Sequence, residues 1–310
     1  MARPVPSAFR GALFALAAAV SFGITTPVVA LAGRGVGPLT TAALLYLGAC
    51  LSGLLLMLTG RTAGTPLART DGKRLILVAL FGAALAPALL AWGLQRSGGT
   101  VGSLLLNLEA VFTVLLARAF YREPIGLRVA AAVTLMTAAA TLLAATSTGA
   151  GGFRWSGLGA LAVGGATLAW ALDNTLTRPL ASHDPVTVVA AKGALGAALT
   201  VTLAFALREP WPHMIPMLVL LACGATGYGL SLRFYLLAQR RIGAARTASI
   251  FALAPFVGAV LGWTLGDRVS AGLTTVAAAL FGAGVFLHVT DQYRRRPDDE
   301  SAIVSAGQPP

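Results

Sequence analysis

The stretch Gly157–Pro179, GLGALAVGGATLAWALDNTLTRP, stays apolar until its last turns, where an acid and an amide, Asp173 and Asn174, interrupt it. A helix needs about 20 apolar residues to cross a hydrocarbon core of roughly 30 Å. Runs of that length recur along the chain, at approximately 11–32, 38–59, 74–95, 99–121, 126–146, 156–177, 185–206, 214–238, 245–265 and 270–290. Gly, Pro and charged residues separate them, and the connections are too short for a soluble domain. Only 11% of the 310 residues are charged and 56% are hydrophobic, whereas a soluble domain carries about 25% charge. Mean hydropathy is +0.78. The sequence therefore predicts an all-α integral membrane protein with ten transmembrane helices.

The net charge of +12 fits a topology signal better than a nucleic-acid surface, because the basic residues cluster between apolar runs with no aromatic interleaving. With the N-terminus inside, fifteen Lys and Arg fall on the cytoplasmic side. Five fall outside: Arg34, Arg96, Arg154, Arg208 and Arg268. That bias puts both termini in the cytoplasm, with the protein a multi-pass component of the cell (inner or plasma) membrane. The first run exceeds a signal-peptide core and is read as an uncleaved span. The charged tail, 291–310, reads as disordered and cytoplasmic. Cys50 and Cys223 sit inside apolar runs and read as small core residues.

The chain carries a weak internal repeat. A shift of 148 lays Gly11–Leu13 on Gly159–Leu161, Phe22 on Trp170, and Thr25-Thr26 on Asp173-Asn174. A shift of 144 lays Gln95-Arg96 on Gln239-Arg240, Gly99 on Gly243, Phe112 on Phe256 and Glu123 on Asp267. The halves, 1–149 and 150–290, hold five spans each. An odd number makes the second copy enter the membrane from the opposite side. Inverted repeats of this kind mark transporters, with the substrate site near the midplane between the copies.

The ten-span layout resembles the drug/metabolite transporter superfamily, in its EamA-like branch. The fourth span, LLLNLEAVFTVLLARAFYREPI, is similar to that family's helix with a Glu-Pro-Val-Phe-like element and a closing acid, here with Ala110 in place of the proline. The ninth, LAPFVGAVLGWTLGDRVS, fits the matching element with Pro255 and Asp267. Residues 170–178, WALDNTLTR, also look family-like. Tyr46 stands near LLYLG, where the family often carries an Arg. The resemblance covers residues 8–290 and implies two inverted five-helix repeats and alternating access.

Ionisable groups inside the hydrocarbon are functional candidates, since each costs about 2.5–3.5 kcal/mol to insert. Glu109 lies mid-span and is a candidate proton-coupling or cation-binding acid, against the alternative of a packing residue satisfied by a neighbour. Asp173 lies about 6 Å before Thr177, and Lys192 about 9 Å beyond Val186, so the two fall at similar depth on adjacent helices and can pair. Arg233 reaches nearly the same level. One acid and two bases on the inner half suggest a vestibule that captures a substrate carboxylate or phosphate; a salt-bridge cluster tying helix ends is the rival. Arg118 reads as snorkelling to the interface. Glu109 and Asp173 are read at different depths.

Thr25 precedes Pro27, which should kink the first span. Tyr46, Trp92, Trp170, Tyr228 and Phe234 are candidate cavity aromatics. The substrate-site set is thus Glu109, Asp173, Asn174, Lys192, Arg233, Thr25, Tyr46 and Trp92. Gly258, Gly262 and Gly266 form a small-xxx-small pattern for close packing within the chain or in a dimer, so both monomer and homodimer are open. His183, His213 and His288 lack metal-ligand spacing, and no phosphate loop follows a strand. No cofactor, metal, nucleic acid or enzymatic activity is expected. The sequence reads as a secondary transporter exporting small polar metabolites such as amino acids. Lipophilic-cation efflux is the first alternative and a non-transporting membrane scaffold a remote one.

Overall fold

The computed structural model describes residues 7–58, 71–122, 125–146, 153–177, 184–267 and 269–306. Arg3, Arg61, Arg69, Glu123, Arg178, His183 and Arg268 lie outside them. The described residues are helical, with no strand. Two long helices, α1 (Ser7–Ala32) and α2 (Pro38–Leu58), open the first half. The third span joins α3 (Gly72–Ala79), a π-helical segment Leu80–Leu85 and α4 (Ala86–Leu105). Then come α5 (Leu108–Tyr121) and α6 (Leu127–Thr146). The second half runs α7 (Phe153–Thr177), α8 (Pro185–Ala206) and α9 (Met214–Cys223), with a second π segment, Gly224–Leu230. It ends with α10 (Ser231–Ile242), α11 (Ala244–Phe251), α12 (Ala254–Thr264) and α13 (Ala271–Ala306).

Eight helical stretches among the described residues are long and apolar enough to cross a bilayer. The other two of the ten spans are the fourth, broken at Leu106–Asn107, and the sixth, whose end carries Asp173 and Asn174. The irregularities recur in the two halves. Gly98 (φ 79°, ψ 169°) turns the chain out of the third span, and Gly243 (φ 80°, ψ 162°) does so 145 residues later. The fourth span breaks at Leu106–Asn107 and the ninth at Ala252–Leu253. In the ninth, Pro255 cannot donate a helical hydrogen bond. In the fourth, the Asn107 amide donates to the Leu104 carbonyl at 2.9 Å, a local bond that competes with the helix.

Each span's main partner belongs to the other half: α4 packs on α7, α2 on α8, α1 on α10 and α6 on α13. The core therefore lies along the seam between the halves, around Leu45, Leu90, Leu94, Val163, Leu220 and Phe281. Glycines permit the close approach. A Cβ on Gly258 would strike the Ser103 hydroxyl and the Gly23 carbonyl, and one on Gly262 would strike Thr100. These two members of the small-residue stripe thus serve packing inside the chain, whereas Gly266 has left the helix with φ 97°.

Pro27 lies inside α1, whose helix continues on both sides of it; the Gly23 carbonyl it strips of a partner abuts Gly258. The backbone of α13 is helical to Ala306. Extending a formed helix adds one hydrogen bond per residue fixed, so it costs far less than nucleating one.

At the end of the bundle away from both termini, polar latches join the halves. The Glu209 carboxylate accepts from the Thr40 amide at 2.8 Å and its hydroxyl at 3.2 Å, and from the Leu39 amide at 3.3 Å. Asp267 accepts from the Thr100 amide at 2.6 Å and its hydroxyl at 2.9 Å. Within the first half, Gln95 donates to the Gly33 and Val36 carbonyls, both at 2.9 Å. The backbone of Gly98 and Gly243 lies in a region open essentially to glycine alone, where a side chain costs about 1–3 kcal/mol. Gly98→Ala and Gly243→Ala should each lower the apparent melting temperature in detergent, and unchanged melting would contradict the strained-turn account.

Candidate functional site

The break in the fourth span makes Glu109 the acid of a helix's first turn rather than a mid-helix residue. A carboxylate there is favoured by the positive end of the helix dipole. Its Oε1 accepts a hydrogen bond from Asn174 Nδ2 of α7 at 2.7 Å. One residue earlier on α7, Asp173 is 3% exposed. Lys192 of α8 donates to Asp173 Oδ2 and forms an ion pair with it. The Thr177 hydroxyl, one turn on, donates to Oδ1 at 3.3 Å. Glu109 and Asp173, expected at different depths, therefore line one cavity of about 510 Å³. After the break α5 packs along α7, where Glu109 meets Asn174.

The π segment Leu80–Leu85 packs directly against this ion pair. A π turn widens the helix and frees a carbonyl from its ordinary partner, and such bulges concentrate at functional sites. The Gly82 carbonyl accepts from the Tyr46 hydroxyl and from Trp170 Nε1, the latter at 3.0 Å. These bonds fix a phenol of the first half and an indole of the second as cavity walls. Gly82 also lacks the side chain that would fill the site: a Cβ there would lie 2.1 Å from Asp173 Oδ2 and 2.6 Å from Lys192 Nζ. Tyr228 is the centre of the aromatic lining, with ring centroids 5.5 Å from Tyr46, 5.7 Å from Phe22 and 6.4 Å from Trp170. Phe251 continues the lining, 5.6 Å from Phe22 and 5.2 Å from Tyr235.

Five of the eight sequence candidates, Glu109, Asp173, Asn174, Lys192 and Tyr46, meet in this cavity. Three do not. Thr25 is 2% exposed, its hydroxyl turned back to the Phe22 carbonyl and its methyl packed against Gly227. Thr25, which the repeat lays on Asp173, thus offers the cavity no polar group. Trp92 stacks on the Arg96 guanidinium at 3.6 Å, outside the cavity lining. Arg233 lines a separate small cleft with Gly53, Leu56 and Val186, because its position on α10 faces a different side from Ser231 and Tyr235. Of the other aromatics proposed, Trp170 and Tyr228 line the cavity and Phe234 stacks on Phe14 instead. Phe22, Tyr235 and Phe251 were not anticipated. Tyr228, Ser231, Leu232 and Tyr235 follow i, i+3, i+4, i+7 spacing, which marks one helix face.

Removing one member of a buried ion pair leaves an uncompensated charge and costs about 3–5 kcal/mol, whereas removing both is far milder. Lys192→Ala should therefore lower thermal stability more than the double variant Asp173→Ala/Lys192→Ala. Equal melting temperatures for the two would show that the pair is not coupled in this way. Gly82→Ala should also destabilise, since its Cβ would displace the pair.

The pattern of the EamA-like transporter family matches residues 9–145 and again 157–290. An uncharacterized transporter of Methanothermobacter thermautotrophicus (strain Delta H) is 26% identical over 226 residues, which are 71% of this chain and 65% of that protein. The match thus spans about two thirds of the relative's length. A crystal structure of a protein superposes with a TM-score of 0.63 at 21% identity, over 90% of this chain and 97% of the other, a likeness of fold. With one copy of the pattern on each five-span half, the chain belongs to the EamA-like transporter family.

Proposed function

We propose that the protein is a secondary active transporter, working as an exporter, for small polar metabolites that carry an amine, amino acids among them. Its operation is alternating access between the two halves, in the cell membrane, with both termini in the cytoplasm. The observation that carries this reading is the charge balance of the cavity. Among the described residues, Glu109 and Asp173 line it with a single base, Lys192, and Arg233 lines a separate cleft. This reverses the balance of one acid and two bases read from depth along the helices, and with it the capture of a carboxylate or phosphate by paired bases. Lys192 is engaged by Asp173, and the described partner of Glu109 is a neutral amide. Glu109 is therefore the charge left for a substrate ammonium, in a site where a charge-assisted hydrogen bond is worth about 1.5–3 kcal/mol.

The cavity borders the half of the bundle nearer the termini, where Thr177 ends α7 and Val188 begins the second turn of α8. The far end is closed by the Glu209 and Asp267 latches. That asymmetry supports loading from the cytoplasmic side. Glu109 also serves as the ion-coupling candidate, since taking up a proton would cancel its attraction for an amine. A second reading, efflux of lipophilic cations, draws support from the aromatic rings around Glu109, because cations bind ring faces.

Counterflow of labelled amino acids in proteoliposomes tests the proposal. Glu109→Gln should cut exchange by about tenfold or more, the equivalent of one charge-assisted hydrogen bond, while Arg233→Ala stays near wild type. Exchange absent across the amino-acid panel, together with resistance to quaternary ammonium dyes in expressing cells, would favour the cation reading instead.

A further inference from the structure

A second cavity, of about 260 Å³, lies against Glu109. The two cavities share Glu109, Tyr235, Phe22 and Phe251, so these four side chains form the partition between them. Their other polar walls differ. Those of the first cavity come largely from α7 and α8, as Asp173, Asn174, Thr177 and Lys192. Those of the second are Asn107 at the break in the fourth span, Thr113 one turn beyond Glu109, and His288 of α13. His288 stands three residues before Asp291, where the last membrane-spanning stretch ends. The second cavity therefore joins Glu109 to the terminal end of the bundle by way of α5, α11, α12 and α13, without passing the substrate groups.

The volume admits several waters at about 30 Å³ each, and an ordered water needs two to four polar partners. Asn107, Glu109, Thr113, Tyr235 and His288 supply them. Around Glu109 stand Asn174, bonded to Oε1, Asp173 and Lys192 within electrostatic reach, and the phenols of Tyr46, Tyr228 and Tyr235. Asp291, on the same helix, lies in reach of His288, and Glu109 and Tyr235 stand across the cavity from it. Imidazole is the side chain whose ordinary range lets it gain and lose a proton near neutral pH.

We propose that the second cavity is a proton path to Glu109, with His288 as its entry relay, separate from the cavity that takes the substrate. The proposal rests on Glu109 being the ion-coupling acid of the transport reading. In the transfer, the His288 imidazolium gives its proton to a water chain, the far end of the chain delivers one to Glu109 Oε2, and the imidazole regains a proton from bulk water. Two entrances let Glu109 change charge while a substrate occupies the first cavity. A single shared entrance would be blocked at that moment.

The test uses the full-length protein in lipid nanodiscs and needs no substrate, so its outcome is independent of the counterflow result. The infrared carboxyl band that disappears in Glu109→Gln reports protonation of that residue. After a rapid pH drop, His288→Phe should slow the rise of the band by about tenfold or more while preserving its final amplitude. Thr113→Leu, filling the cavity from the opposite wall, should slow it likewise, and serves alone if the first variant does not fold. Wild-type rates in these variants would overturn the proposal. So would slowing by Val188→Phe, which narrows the first cavity.

Discussion

The Gly82 carbonyl ties the two halves of the molecule together at the site. It takes a hydrogen bond from Tyr46 in the first half and another from Trp170 in the second, and both rings become cavity walls. An ordinary α-helix would bind that oxygen within its own backbone, and inside a membrane no water could substitute. The π turn therefore creates an acceptor that side chains must satisfy, and it fixes which ones. Because the residue is glycine, the Asp173–Lys192 pair sits directly against the same backbone. The positions of the ion pair, the phenol and the indole thus follow from one local distortion.

The scaffold repeats, yet the chemistry does not. Both halves contain a π segment in the third span of the repeat, a glycine turn and a broken fourth span. In the first half the π segment opens onto charged groups. In the second, Gly227 is filled by Thr25. The helix restarts differ as well: Glu109 occupies one, and the apolar pair Ala254-Pro255 the other. The two halves share a backbone plan, and the unequal fillings place the polar groups on one side of the seam between them.

The sequence made the spans legible, because a membrane-spanning helix needs a long run of predominantly apolar residues. It also made Asp173–Lys192 legible, since two charges at equal depth on adjacent helices had few other partners. Depth says nothing about rotation about the helix axis, which is why Arg233 reached the right level and the wrong face. The break before Glu109 left little trace, as no proline marks it and Asn107 is one polar residue in an apolar run. The repeat did lay Phe22 on Trp170, and both line the cavity. It could not reveal that Thr25, laid on Asp173, would have its hydroxyl consumed by its own helix.

The latches at the far end, Glu209 on Thr40 and Asp267 on Thr100, are carboxylates set on the amides of helix starts. Apolar packing would have to be wetted to open, at a cost that grows with the area exposed. A carboxylate and an amide instead exchange each other for water, nearly bond for bond, and each hydrogen bond to a charged group is worth about 1.5–3 kcal/mol net. A closure made this way is specific in geometry, and the cost of parting it does not grow with apolar area. Parting that end would then be governed by hydration of these carboxylates and amides rather than by the wetting of an apolar seal.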